Sequence, residues 1–93
     1  LLLSWTSAET FAHTTGELLR QLDGAGRDLT TTLLAYLDAE SSIAETAAVL
    51  GVHRNTVSER IRRIESVLGV SLRDPETRLA LHLAARVERR FRS

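Results

Sequence analysis

Five polar residues crowd one stretch of the chain: Arg54, Asn55, Ser58, Glu59 and Arg62, within RNTVSERIRRIESVL. At about 100° per residue, Asn55, Glu59, Arg62 and Ser66 fall on one side of a helix, flanked by Ser58 and Arg63. Val57, Ile61, Ile64 and Leu68 fall on the opposite side and must face a core. These groups suit recognition better than covalent chemistry. The chain has no cysteine, its three histidines (His13, His53, His82) are scattered, and neither a glycine-rich phosphate loop nor a pair of carboxylates on a plausible cleft is present. An enzyme, a resident cofactor and a metal centre are therefore not expected. Hydrogen bonding to base edges is within reach, because arginine matches guanine, asparagine matches adenine and glutamate accepts from cytosine. The candidates for base reading are Arg54, Asn55, Ser58, Glu59 and Arg62. His53, Thr56 and Arg63 are better placed for phosphates, as is Ser42 at the start of the preceding element, where Ser41 and Ser42 offer backbone N–H groups.

Such a face needs a scaffold, and the flanking residues describe one. Ser42-x-x-Glu45 reads as a capping box opening a helix of about eight residues that ends at Leu50. Gly51 stands where a left-handed residue is wanted, and after Val52-His53 a second helix runs from Arg54 to Leu68, stopping at Gly69. Two helices joined by so short a turn form a helix-turn-helix unit. Ala47 is small enough for the crossing point, Gly51 makes the turn, and Val52 plugs the angle between the helices. With Val57 following the polar start of the second helix, four constraints of residue type and spacing coincide with two helix assignments.

The remaining segments read as supporting helices. Thr6-x-x-Glu9 opens a short helix to about His13, and Glu17 to Leu22 carries Leu18, Leu19 and Leu22 at helical spacing. Asp23-Gly24-Ala25-Gly26 reads as a break. Asp28 is expected to cap a helix from Leu29 to Ala39 with Leu29, Leu33, Leu34 and Leu37 on one stripe and Tyr36 beside it. Asp74-Pro75 supplies a cap followed by proline at the first helical position, and a last helix runs through Leu79, Leu83 and Val87 towards Phe91. No strand-like alternation survives, so the fold class is all-α: a helical bundle of about five to six helices containing a helix-turn-helix. Trp5 and Phe11 are expected to bury against Leu18 and Leu22, or against a missing domain. His13 and His82 read as packing or solvent residues, His53 equally as the cap of helix 54–68 or as a phosphate contact, and Arg86, Arg89, Arg90 and Arg92 as partners of the last helix's dipole.

The whole chain, 93 residues with 43% hydrophobic content, suits one globular domain. Its net charge of zero conceals a split. Residues 1–50 hold two arginines against seven acids, and residues 51–93 hold ten arginines against five. Every basic residue is arginine, whose planar fork suits phosphate and guanine. The asymmetry points to nucleic acid for the second half. No membrane span or secretory leader is evident, and methionine is absent even at position 1, so the chain reads as a cytoplasmic piece of a longer protein.

The residues also carry a family resemblance. Leu33-Leu34-Ala35-Tyr36-Leu37, Ala44 to Leu50, Val52-His53-Arg54-Asn55-Thr56-Val57 and Arg60-Ile61-Arg62-Arg63-Ile64 resemble the C-terminal helix-turn-helix of PucR/CdaR-type regulators. The likeness continues through Leu68-Gly69, Leu72 and Asp74-Pro75 to Arg78–Ala84, covering about residues 27–87. Arg54-Asn55-Thr56 is also similar to Fis-type domains. The resemblance implies a domain that binds double-stranded DNA with helix 54–68 in the major groove, acting as a dimer or higher oligomer. It also implies an upstream ligand-sensing region, of which residues 1–26 would be the tail or connector, leaving 27–93 as the DNA-binding domain. Ser58-Glu59 departs from the family's frequent basic or aromatic pair, which bears on the operator sequence and not on the binding mode. The alternative function is a helical interaction module without DNA, which would want an apolar outer face on helix 54–68.

Overall fold

The computed structural model describes residues 16–92, with side chains from 16 to 86. The expected helix from Thr6 to His13, the placement of Trp5 and Phe11, and the side chains of Arg89, Arg90 and Arg92 lie outside what it describes. The described residues form five helices: α1 (16–25), α2 (Arg27–Asp38), α3 (Ile43–Leu50), α4 (Arg54–Leu68) and α5 (Pro75–Arg92). The all-α class stands.

α1 corrects one expectation. The helix continues through Asp23, Gly24 and Ala25, and only Gly26 leaves helical geometry. Gly26 donates its N–H to Leu22 O (3.2 Å), closing α1, while its carbonyl accepts from Leu29 N (3.0 Å), opening α2. A single exposed glycine inside a helix costs only about 1 kcal/mol, and the burial of Leu19 and Leu22 in the common core more than offsets it. Asp28 does not cap α2: Gly26 holds the cap position with no side-chain hydrogen bond, and Asp28 sits in the first turn.

α2 is the central post, in contact with α3, α4 and α5. Its buried stripe is Leu29, Leu33 and Leu37, with Leu34 and Tyr36 packed at the margin. Thr32 is buried on the same helix, and Thr46 is buried on α3. Each hydroxyl donates to the carbonyl four residues earlier, Thr32 to Asp28 O and Thr46 to Ser42 O, both at 2.7 Å. A buried hydroxyl satisfied within its own helix adds little desolvation cost.

The turn from α2 to α3 uses two left-handed residues that are not glycine, Glu40 (φ 54°) and Ser41 (φ 66°). Their amides turn back onto α2, Glu40 to Leu37 O (3.1 Å) and Ser41 to Tyr36 O (2.9 Å). Between α4 and α5 the chain is pinned at Leu72, which is 2% exposed. Its N–H donates to Glu65 Oε2 (2.7 Å) and its carbonyl accepts from Arg78 Nη1 (2.8 Å). Asp74 then caps α5, accepting from Thr77 Oγ1 at 2.7 Å. That bond, with the Glu76 and Thr77 amides and nearby Arg78, holds its carboxyl below its ordinary value.

α5 packs through Leu81, Ala84 and Ala85, while Leu79 and Leu83 remain exposed. His82, expected to be a packing or solvent residue, places Nε2 2.8 Å from Asp38 Oδ1 and so ties α5 to α2. No helix among the described residues is long and apolar enough to cross a membrane.

Candidate nucleic-acid interface

The helix-turn-helix is set by local chemistry at each of its ends. Ser42 Oγ accepts from Glu45 N (3.1 Å), which is one half of the capping box. The other half does not form, because the Ser42 N–H already donates to Ala39 O (3.1 Å). With Ser41 N–H bound to Tyr36 O, both amides expected to offer themselves to a phosphate are engaged inside the fold. Ser42 itself is half-buried.

α3 ends at Gly51 in the left-handed region (φ 69°, ψ 35°), and the Gly51 and Val52 amides both return to Ala47 O. Ala47 is buried where α3 meets α4, and Val52 packs at the edge of the core. α4 then begins at His53, whose Nδ1 accepts from Asn55 N at 3.0 Å. His53 is therefore the cap of α4, and its ring remains exposed. α4 ends at Gly69, again left-handed (φ 67°).

The apolar side of α4 is buried as its periodicity requires, at Val57, Ile61, Ile64 and Leu68. On the other side Arg54, Asn55, Glu59 and Arg62 are exposed, and Ser58 is half-buried. Arg63 is exposed and Thr56 half-buried on the flank. None of these side chains makes a hydrogen bond or ion pair within the described residues. Their polar groups, left to water in the free chain, are available to a partner. Beside them an open hollow of about 430 Å³ gathers Thr56, Glu59, Arg62 and Arg63 with Arg60 and with Asp28 of α2.

Arg60 is the residue that sequence patterning gave no separate role. Its side chain is only 26% exposed and crosses from α4 to α2. Nε lies 3.7 Å from Asp28 Oδ2, and Nη1 donates to Thr32 Oγ1 at 3.3 Å. Its place on the helix wheel, at the margin of the buried stripe, was the available signal. Three arginines within four positions thus divide: Arg60 braces the helix against its support, whereas Arg62 and Arg63 face outward.

The sequence that builds this geometry has known relatives. The profile of the PucR C-terminal helix-turn-helix domain matches residues 29–87. The chain is 41% identical over 88 residues to the purine catabolism regulatory protein of Bacillus subtilis, covering 95% of the chain and 17% of that protein. It is 45% identical over 83 residues to an uncharacterized protein from the pkwA 5′ region of Thermomonospora curvata, covering 89% of the chain and 46% of that protein. An uncharacterized Mycobacterium bovis protein is 38% identical over 86 residues, covering 92% of the chain and 20% of that protein. The chain thus spans less than half the length of these relatives. No solved structure matches.

Proposed function

This chain belongs to the PucR C-terminal helix-turn-helix family, and from that premise we propose that it is the DNA-binding end of a transcription regulator, reading duplex DNA through α4. The observation that carries the reading is the outer face of α4. Arg54, Asn55, Glu59 and Arg62 are exposed there and lack side-chain partners within the described residues. A face built for a protein partner would be apolar at its centre. This one offers donors and acceptors of the kinds that match base edges.

The N-terminal half of α4 enters the major groove, as recognition helices do. Arg54, Asn55, Ser58, Glu59 and Arg62 read bases, while His53, Thr56 and Arg63 meet phosphates. Ser42 marks the end of α3 nearest the backbone, and its hydroxyl serves the fold first. The protein works in the cytoplasm as a dimer or higher oligomer, since one such helix covers few base pairs, with half-sites about 34 Å apart. Residues 1–26 join it to an upstream ligand-sensing region of a longer chain.

A mobility-shift titration on genomic fragments at several salt concentrations tests the reading. Neutralised phosphates release counterions, so log affinity falls against log salt with a slope of about −0.9 per phosphate contacted. Affinity indifferent to salt contradicts the proposal.

A further inference from the structure

α5 presents an unusual outer side. Leu79 is 61% exposed and Leu83 54% exposed, on the side opposite the buried Leu81, Ala84 and Ala85. Glu76 and Arg86 are exposed on that same side, and neither side chain has a hydrogen bond or ion pair within the described residues. The stripe therefore reads Glu76, Leu79, Leu83, Arg86, spaced three, four and three residues apart. That is the spacing of the seam between paired helices.

The order of these four residues specifies the occupant. Turning the helix end for end about the level of Leu81 exchanges Leu79 with Leu83 and Glu76 with Arg86. We propose that the stripe is a homodimer face, two copies of this chain pairing α5 antiparallel across a two-fold axis. Leu79 then meets the partner's Leu83, and Glu76 meets the partner's Arg86. The interface is isologous, so every contact occurs twice. Parallel pairing would set acid against acid and base against base, which like-charge repulsion disfavours. Within the fold α5 packs on α2 and not on α4, so the pairing leaves the outer face of α4 unoccupied.

Two leucines per copy make a small apolar centre, and the free dimer is weak. A duplex carrying two half-sites would reinforce it by raising the effective concentration of one copy near the other. That reinforcement rests on the DNA-binding reading, but the pairing itself does not.

Sedimentation equilibrium of the chain without DNA tests the pairing. The parent shows a concentration-dependent monomer–dimer equilibrium. Glu76→Arg and Arg86→Glu each weaken the dimer by roughly tenfold, because symmetry doubles each change. Mixing the two single variants restores association, as does combining both changes in one chain, since each arrangement again sets acid against base. Leu83→Glu at the seam removes the dimer, and circular dichroism reports unchanged helix content for all of these surface variants. A parent that stays monomeric into the millimolar range overturns the pairing. So do charge variants that associate like the parent, or a mixture no better than its components. Duplex binding by a monomer would survive any of these results.

Discussion

His53 Nδ1 accepts the backbone N–H of Asn55 at 3.0 Å, so the bond that starts α4 also fixes the imidazole ring beside the helix's exposed polar face. In the neutral imidazole this places the ring proton on Nε2, where it can be donated outward. Cap and phosphate contact are thus compatible functions of one side chain. Asparagine keeps an acceptor for the cap and alanine does not. His53→Ala is expected to lose about 1 kcal/mol and to lower the melting temperature by about 4–8 °C, while His53→Asn melts near the parent. Both lose the Nε2 donor and bind duplex more weakly. Equal melting of the two variants would contradict the cap.

Arg60 and Arg62 are two positions apart and should behave oppositely. Arg60 holds Asp28 and Thr32 of α2, whereas the Arg62 side chain makes no hydrogen bond or ion pair within the described residues. Asp28 is 56% exposed, so solvent screens the pair and the cost of Arg60→Ala stays at about 1 kcal/mol. Arg62→Ala should leave stability within about 0.5 kcal/mol of the parent and weaken duplex binding. Urea unfolding beside a binding titration separates the two effects. Arg62→Ala destabilising the fold as much as Arg60→Ala would refute the division.

Gly51→Ala isolates the cost of a backbone conformation. No atom lies within 4 Å of a Cβ built at Gly51, so nothing clashes, but its φ of +69° disfavours any side chain. The expected loss is about 1 kcal/mol, read as a lower urea midpoint at unchanged slope. A larger loss would mean that the turn packs more closely than this.

Much of the helix-turn-helix was legible because its determinants are local. Ser42, Gly51, His53 and Gly69 each act within a few residues, and the four apolar positions of α4 repeat at helical spacing. Legibility failed where distant partners decide. Leucine and alanine occupy six of the seven positions of α5 from Leu79 to Ala85, so periodicity did not select the buried side, and packing in the common core decided for Leu81, Ala84 and Ala85. The reach of Arg60 to Asp28, and of His82 to Asp38, joins residues far apart in the chain with no local signature. At Asp23–Ala25 the composition spoke for a break, yet helix is kept there.

Asp74 predicts an acid limb in the stability profile. Its carboxyl is held below the ordinary value of 3.8 by Thr77 Oγ1 first, with the Glu76 and Thr77 amides and Arg78 assisting. The native state thus favours the charged form more than the unfolded chain does. That contribution is complete above the unfolded value and is lost as pH falls through the lower, folded one. Asp74→Asn, which still accepts a hydrogen bond but does not ionise, should lose less stability than the parent across that acid window. Parallel profiles for the two proteins would remove Asp74 from the explanation.

We propose that α4 reads bases through Asn55, Glu59 and their neighbours. Affinities for every single base-pair change in a footprinted operator, taken for the parent, Asn55→Ala and Arg63→Ala, test it most directly. Asn55→Ala should lose discrimination of about 1–3 kcal/mol at one position and keep it elsewhere. Arg63→Ala should weaken all duplexes alike and make the salt slope shallower by about one. If Asn55→Ala keeps the parental preference at every position, the account of α4 as the reading helix is contradicted.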